Sequence, residues 1–292
     1  MAITTSDNPE EPVAESSARL SESISNRLVV MLAHERSGSH FVAEMLKSPT
    51  GLVSLDEVCN FNAIDPDTSK HSFFRFRHEY MLKTRAFSYR PDAASLTAFC
   101  DSYFSHLLDS TNADNVLVDI KYGHVHNFEI GWWASEERPF LIKYLEMRDI
   151  RILHLVRQDA VAATLSNFIA EQTGVWHKRP GQPDTQPKSY RVPCEKIVHD
   201  ALALEREKDN FFNWLSTNRC THVFYEDCSN EARRRDAMNA LCRFLGLADR
   251  PGYASAYRKV TPALTDIVEN YKDLRRAIAL FGQGRLRSAH SE

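Results

Sequence analysis

Four short runs of β-branched and aliphatic residues, each followed by a turn and then a helical repeat, constrain this chain more than any other feature. They are Arg27–His34 (RLVVMLAH), Asn115–Lys121 (NVLVDIK), Arg151–Val156 (RILHLV) and Thr221–Tyr225 (THVFY). Near-continuous apolar strands need cover on both faces, so their alternation with helices predicts a parallel sheet between helical layers. The fold class is α/β. Apolar periodicity predicts helices over His40–Lys47, Pro91–Leu108, Ser135–Arg148, Asp159–Gln172, Cys194–Thr217, Asn230–Leu245 and Pro262–Ala279. Two stretches break the alternation. Ser54–Arg90, rich in Phe and Arg, reads as an inserted substrate-facing region. Trp176–Pro193, with Pro180, Pro183, Pro187 and Pro193, reads as an irregular excursion able to cover a site.

The chain has 292 residues and no sharp internal change of composition, which fits one domain over 27–280, a disordered leader over 1–26 and a flexible tail over 281–292. With 36 Lys+Arg against 39 Asp+Glu, the formal charge is -3, and a broad cationic surface for nucleic acid is excluded. Any anion must be held by a few placed groups. The longest apolar runs fall well short of the roughly eighteen residues that span a bilayer, so no transmembrane segment is expected. The Ser- and Glu-rich N-terminus lacks the basic start and apolar run of a signal peptide. Six cysteines, at 59, 100, 194, 220, 228 and 242, form no C-x-x-C pair, which favours a reducing compartment and a cytoplasmic location.

The first strand leads through Arg36-Ser37-Gly38-Ser39 into an amphipathic helix. Small residues let successive amides converge there, and the helix adds the positive end of its dipole, so the turn suits a phosphate or sulfate. Arg36 can add a charge-assisted contact, and the Ser37 and Ser39 hydroxyls can donate. No Lys-Ser or Lys-Thr follows Gly38, so the G-x-x-x-x-G-K-[ST] nucleotide signature is absent. The third strand ends in Arg157, with Asp159 at an N-cap position and Ser166 about two turns further along the same helix face. Open α/β sheets bind ligands at such strand ends. Read alone, the first turn is equally an ordinary tight turn with a Ser cap, and Arg157 equally a surface arginine paired with a carboxylate.

Taken together, these residues resemble the sulfotransferases. Arg36-Ser37-Gly38-Ser39 is similar to that family's 5′-phosphosulfate loop. An Arg at a strand end with Ser nine residues later, Arg157 and Ser166, resembles its 3′-phosphate site in the spacing of the bacterial trehalose and glycolipid branch; Gln172, Thr173, Val175 and Trp176 match the segment that follows there. Weaker similarity reaches Val223–Asp227 and Tyr257–Tyr271, whereas the R-K-G-x-x-G motif of the cytosolic eukaryotic branch is absent. The resemblance implies a P-loop-like three-layer fold and 3′-phosphoadenosine 5′-phosphosulfate as co-substrate. It implies that Arg36, Ser37, Gly38, Ser39 and His40 hold the 5′-phosphosulfate, that Arg157 and Ser166 hold the 3′-phosphate, and that Arg258 closes over the nucleotide. It further implies sulfuryl transfer to a hydroxyl of a carbohydrate or glycolipid, with no metal and no nucleic-acid partner, and it allows a homodimer.

Sulfuryl transfer needs a base for the acceptor proton and positive groups on the leaving phosphate. Arg36 and the loop amides, helped by His40, fit the second role. For the first, the resemblance carries the base onto Glu57, 21 residues after Arg36, with its neighbour Asp56 as an alternative. His124 is the other candidate: K-Y-G-H-V-H at the end of the second strand is similar to the Lys-Thr-His of the eukaryotic enzymes at one residue longer spacing, and Lys121 can contact the transferring group. His124 and His126 lack a visible third ligand for a metal. Trp132-Trp133 and Phe211-Phe212-Trp214 fit core packing, although the tryptophan pair could line a sugar site; Arg233-Arg234-Arg235 fits a solvated helix face. Two other functions use the same residues: an ATP-dependent phosphotransferase on the same loop, and a nucleotide- or carbohydrate-binding protein without chemistry.

Overall fold

The computed structural model describes residues 21–47, 51–60, 71–84, 91–129, 137–176, 189–249, 252–255, 264–282 and 284–286. The chain runs β1 (Leu28–Ala33), α1 (Ser39–Leu46), β2 (Leu52–Glu57), α2 (Phe73–Thr84), α3 (Ala93–Asp109), β3 (Asn115–Lys121), a 3₁₀ helix (Tyr122–Phe128), α4 (Phe140–Met147) and β4 (Arg151–Val156). It continues with α5 (Ala160–Thr173), α6 (Cys194–Trp214), β5 (Cys220–Phe224), α7 (Tyr225–Ser229), α8 (Glu231–Leu245), α9 (Leu264–Ile267) and α10 (Tyr271–Phe281). A helix over 21–27 precedes β1, and Ile24 within it is fully buried.

The five strands lie in the order β2-β3-β1-β4-β5, every pairing parallel. Helical layers cover both faces, as the apolar runs require. Leu28, Val30 and Leu32 of β1 pack with α3 and α4 in one cluster, while Val29, Met31 and Ala33 pack with α1 and α8 in the other. That split is the period of two in a strand, and burial of each Val, Leu or Met contributes about 1.5–3 kcal/mol. A third cluster joins α5, α6 and α10. From β1 the chain turns towards the β2 edge, and from β4 it turns towards the β5 edge. The order therefore reverses between β1 and β4, and the crevice at their carboxyl ends is where a ligand is expected.

Several elements differ from the sequence expectation. The stretch Ser54–Arg90 was expected to be irregular, yet it holds the end of β2 and all of α2. β2 was missed because it is an edge strand with mixed burial, Val53 and Asp56 exposed, and so carries no continuous apolar run. The helix expected from Ser135 begins at Phe140, with Pro139 as its N-cap and the Phe140 amide bonded to the Glu129 carboxylate. The helix expected over Pro262–Ala279 is broken between α9 and α10, because Asn270 there exchanges two hydrogen bonds of 2.9 Å with the Val192 backbone. Tyr122–Phe128 is a 3₁₀ helix and not a strand end. Arg234 is not a solvated residue: it donates to the Cys228 and Ser229 carbonyls and lies over the Phe41 ring. All six cysteines are free thiols.

Candidate functional site

The loop after β1 is built around two left-handed residues, Arg36 at φ 63° and Gly38 at φ 81°. Gly38 is required twice over. A Cβ there would meet Tyr225 Cδ2 at 2.4 Å, so the backbone can lie on the Tyr225 ring only without a side chain. Ser37 is buried, and its Oγ has no hydrogen-bond partner among the described residues. α1 then opens at Ser39 with no side chain capping it. An orphaned buried hydroxyl beside a helix start whose N-cap, Gly38, has no side chain to offer suits an oxyanion.

The two anion motifs read separately in the sequence meet here. Arg36 Nε donates to Ser166 Oγ at 3.2 Å, and an Arg157 guanidinium nitrogen donates to the Arg36 carbonyl at 3.0 Å. Ser166 faces the loop because Asp159 starts α5 as expected: its side chain accepts from the Ala162 amide at 2.8 Å, which sets the helix phase. The Arg157 guanidinium lies 5.4 Å from the Tyr225 ring centroid, and Arg36 also donates to the Trp176 carbonyl and lies over its ring. Burial, and after it the nearby Arg157, lower the Arg36 pKa, with Glu57 and Tyr225 opposing. Two arginines brought to one loop, Arg157 bonded to the Arg36 carbonyl and Arg36 to Ser166, suit a multiply charged anion.

On the other side of the loop, Lys121 at the end of β3 is almost fully buried. Its Nζ donates to Ser39 Oγ at 2.7 Å and Asp119 Oδ2 at 2.6 Å, and lies 3.1 Å from Glu57 Oε1. Asn60 Nδ2 donates to the other Glu57 oxygen at 3.1 Å, and His40 Nδ1 stands 3.9 Å from Oε1. Burial would raise the Glu57 pKa, but the Lys121 ammonium, then His40 and the two hydrogen bonds, outweigh it and hold the carboxyl below its usual range. For Lys121, burial would lower the pKa, and Asp119 and Glu57 overcome it, so the ammonium stays charged.

Glu57 reaches this cluster through an irregularity. β2 pairs Ser54 with Leu117 and then Glu57 with Asp119, so three steps on β2 match two on β3. The extra residue is absorbed where Asp56 turns to φ 56°, a bulge that re-aims the strand. Unbroken register would place Asp56 opposite Asp119. With the bulge, Glu57 takes that position, and Asp56 is exposed, within 3.3 Å of Ser54 Oγ.

His124 is not brought into the cluster. It lies on the 3₁₀ helix, its Nδ1 buried without a hydrogen-bond partner among the described residues, and no hydrogen bond or ion pair joins it to Glu57 or Lys121. Arg258 and Trp132-Trp133 lie outside the described residues. Phe211 stacks on Tyr122 at 3.8 Å between ring centroids, as core packing. Asp119 and Tyr225 were missed as site residues, and Lys121 was given no more than a contact. A signal was present for the first: in V-L-V-D-I-K, Asp119 and Lys121 share one face of an otherwise apolar strand. His40, Glu57 and Asp119 are also, by type and spacing, a set that could hold a metal. The Lys121 ammonium lies against two of the three, Glu57 and Asp119.

Residues 143–270 match a family model described as Stf0 sulphotransferase. The matched span contains Arg157, Ser166 and Tyr225 but not Arg36–Ser39, Glu57 or Lys121. A search of curated proteins gave no match. Among solved structures, the sulfotransferase domain of the Synechococcus PCC 7002 olefin synthase is similar at 15% identity and TM-score 0.44, covering 91% of this chain and 90% of that one. The sulfotransferase domain of the curacin biosynthetic pathway gives 14% identity and TM-score 0.46, over 90% and 92%. Mouse sulfotransferase SULT7A1, complexed with PAP, gives 10% identity and TM-score 0.45, over 95% and 92%.

Proposed function

We propose that this chain is a sulfotransferase that moves the sulfuryl group of 3′-phosphoadenosine 5′-phosphosulfate to an acceptor hydroxyl, with a carbohydrate or glycolipid as the acceptor class. The observation that carries the reading is the direct contact of two strand-end anion motifs, Arg36 with Ser166 and Arg157 with Arg36, in the crevice between β1 and β4. The family match over 143–270 supports the same reaction class. In this reading the Ser37 hydroxyl, the first amides of α1 and Arg36 bind the 5′-phosphosulfate and steady the charge that develops on the leaving phosphate, a contribution of about 10²–10³ in rate for one placed donor. Arg157 and Ser166 bind the 3′-phosphate, and Arg258 is the candidate for closing over the nucleotide.

Glu57 takes the acceptor proton. Glu57 is held ionised and so ready to accept at neutral pH, and an acceptor oxygen becomes strongly acidic as its bond to sulfur forms, so a carboxylate is a sufficient base. Lys121 orients Glu57 and, through Ser39, ties it to the loop that holds the donor. No metal takes part in this reaction.

Calorimetric titration with adenosine 3′,5′-bisphosphate tests the reading. The wild-type chain should bind, and Arg157→Ala should weaken binding by about a hundredfold, the size of a lost charge-assisted pair. Absence of wild-type binding would sink the proposal. Release of the bisphosphate with acceptor and without magnesium separates sulfuryl transfer from ATP-dependent phosphoryl transfer, which needs the ion.

A further inference from the structure

The backbone turn that carries Arg157 out of β4 is gripped by charged residues from distant parts of the chain. The Lys208 ammonium, on α6, donates to the Arg157 and Gln158 carbonyls at 3.1 Å each, and its third hydrogen goes to Glu205 Oε1 at 2.7 Å. All three of its donors are used, and the side chain is only 6% exposed. The Glu226 carboxylate, on α7, accepts from the amides of the same turn: from Gln158 at 3.1 Å with both oxygens and from Asp159 at 3.3 Å. Sheet and helix leave these carbonyls and amides unpaired, because the turn lies between β4 and the first closed turn of α5.

We propose that Lys208 and Glu226 are positioning residues, a clamp that fixes the Arg157 turn so that its guanidinium meets the Arg36 loop. The inference deepens the nucleotide reading above and rests on it. A clamp is needed because Arg157 has to act at a distance set by another strand's loop. Its guanidinium reaches the Arg36 carbonyl and passes over Tyr225, both outside β4. A turn free to shift by an ångström would lose that alignment, at a cost of up to about a hundredfold in function. The clamp holds backbone atoms, so it fixes where the Arg157 side chain starts while leaving the guanidinium itself available to an anion.

The test is calorimetric titration of the full chain with adenosine 3′,5′-bisphosphate, as a double-mutant cycle with Arg157→Ala. Lys208→Met keeps the stem and removes the ammonium; it should weaken binding about tenfold to a hundredfold. Glu226→Gln keeps an oxygen for one amide and should weaken binding about threefold to tenfold. In the Arg157→Ala background neither change should weaken binding further, since the clamp acts through Arg157; a merely structural role would not produce this loss of effect. Thermal melts check folding, and Glu226→Gln carries the test if Lys208→Met does not fold. Effects that multiply with Arg157→Ala, or unchanged affinity in a folded clamp variant, overturn the clamp alone. A wild-type chain that does not bind the bisphosphate overturns the nucleotide reading and the clamp with it.

Discussion

Replacing Lys121 by Met removes the ammonium held between Glu57 and Asp119 and should reverse the pH dependence of stability around them. Lys121 Nζ lies 2.6 Å from Asp119 Oδ2 and 3.1 Å from Glu57 Oε1, with both the lysine and Asp119 side chains 3% exposed. Removing one partner of a buried pair costs about 3–5 kcal/mol. With a urea m-value of about 3 kcal/mol/M, the unfolding midpoint at pH 7 falls by about 1–1.7 M. In the wild type the Glu57 pKa is lowered in the fold, so its contribution is present above the unfolded-state pKa and is lost as pH falls through the folded value. In Lys121→Met the strongest influence lowering the Glu57 pKa is gone, so burial should raise it above that of the unfolded chain. The folded protein then binds more protons, and its stability increases as pH falls. Lowering the pH from 7 to 5 should therefore restore part of the lost stability in the variant while the wild type loses its Glu57 contribution. Urea titrations of both proteins at pH 7, 6 and 5 read this directly. A loss below about 1 kcal/mol at pH 7, or a variant whose stability falls in parallel with wild type, refutes the buried-pair account.

Gly38→Ala combines a left-handed φ of 81° with a Cβ 2.4 Å from the Tyr225 ring. It should cost about 2–4 kcal/mol in thermal or chemical unfolding and weaken bisphosphate binding; a neutral variant would mean that the loop does not rest on Tyr225. Glu57→Gln should abolish turnover and leave bisphosphate affinity within about threefold of wild type, whereas retained turnover moves the base to Asp56 or His124. Burial, and then His222, depress the His154 pKa to about 3, so the fold holds a neutral imidazole, 2.8 Å from His222 and bonded to Tyr122. Its contribution is full above about pH 6.5 and falls below it, by about 2 kcal/mol at pH 5; His154→Phe should flatten that slope, and an unchanged slope excludes His154 as its source.

The sheet was legible because burial on both faces leaves a strong local mark. β3 and β4 have the bounds that their apolar runs predict, and Asp159 starts α5 through its own side chain. The loop at Arg36 and the Arg157–Ser166 pair were legible as separate motifs for the same reason: each is written within a few consecutive residues. The single expected helix over Pro262–Ala279 failed because what breaks it, the Asn270 exchange with Val192, lies 78 residues away in sequence.

The sequence by itself thus determined the α/β alternation, the two anion motifs and the near-neutral balance that required a few placed contacts. Tertiary structure alone decided that Arg36, Ser166 and Arg157 touch, and that Lys208 and Glu226 grip the turn between them. It also set which of Asp56 and Glu57 faces Lys121. A bulge in β2 adds one residue to the register, and in a strand of period two a single step moves a side chain to the other face. Such a step depends on pairing with β3, not on the local sequence, and it turns Glu57 towards Lys121.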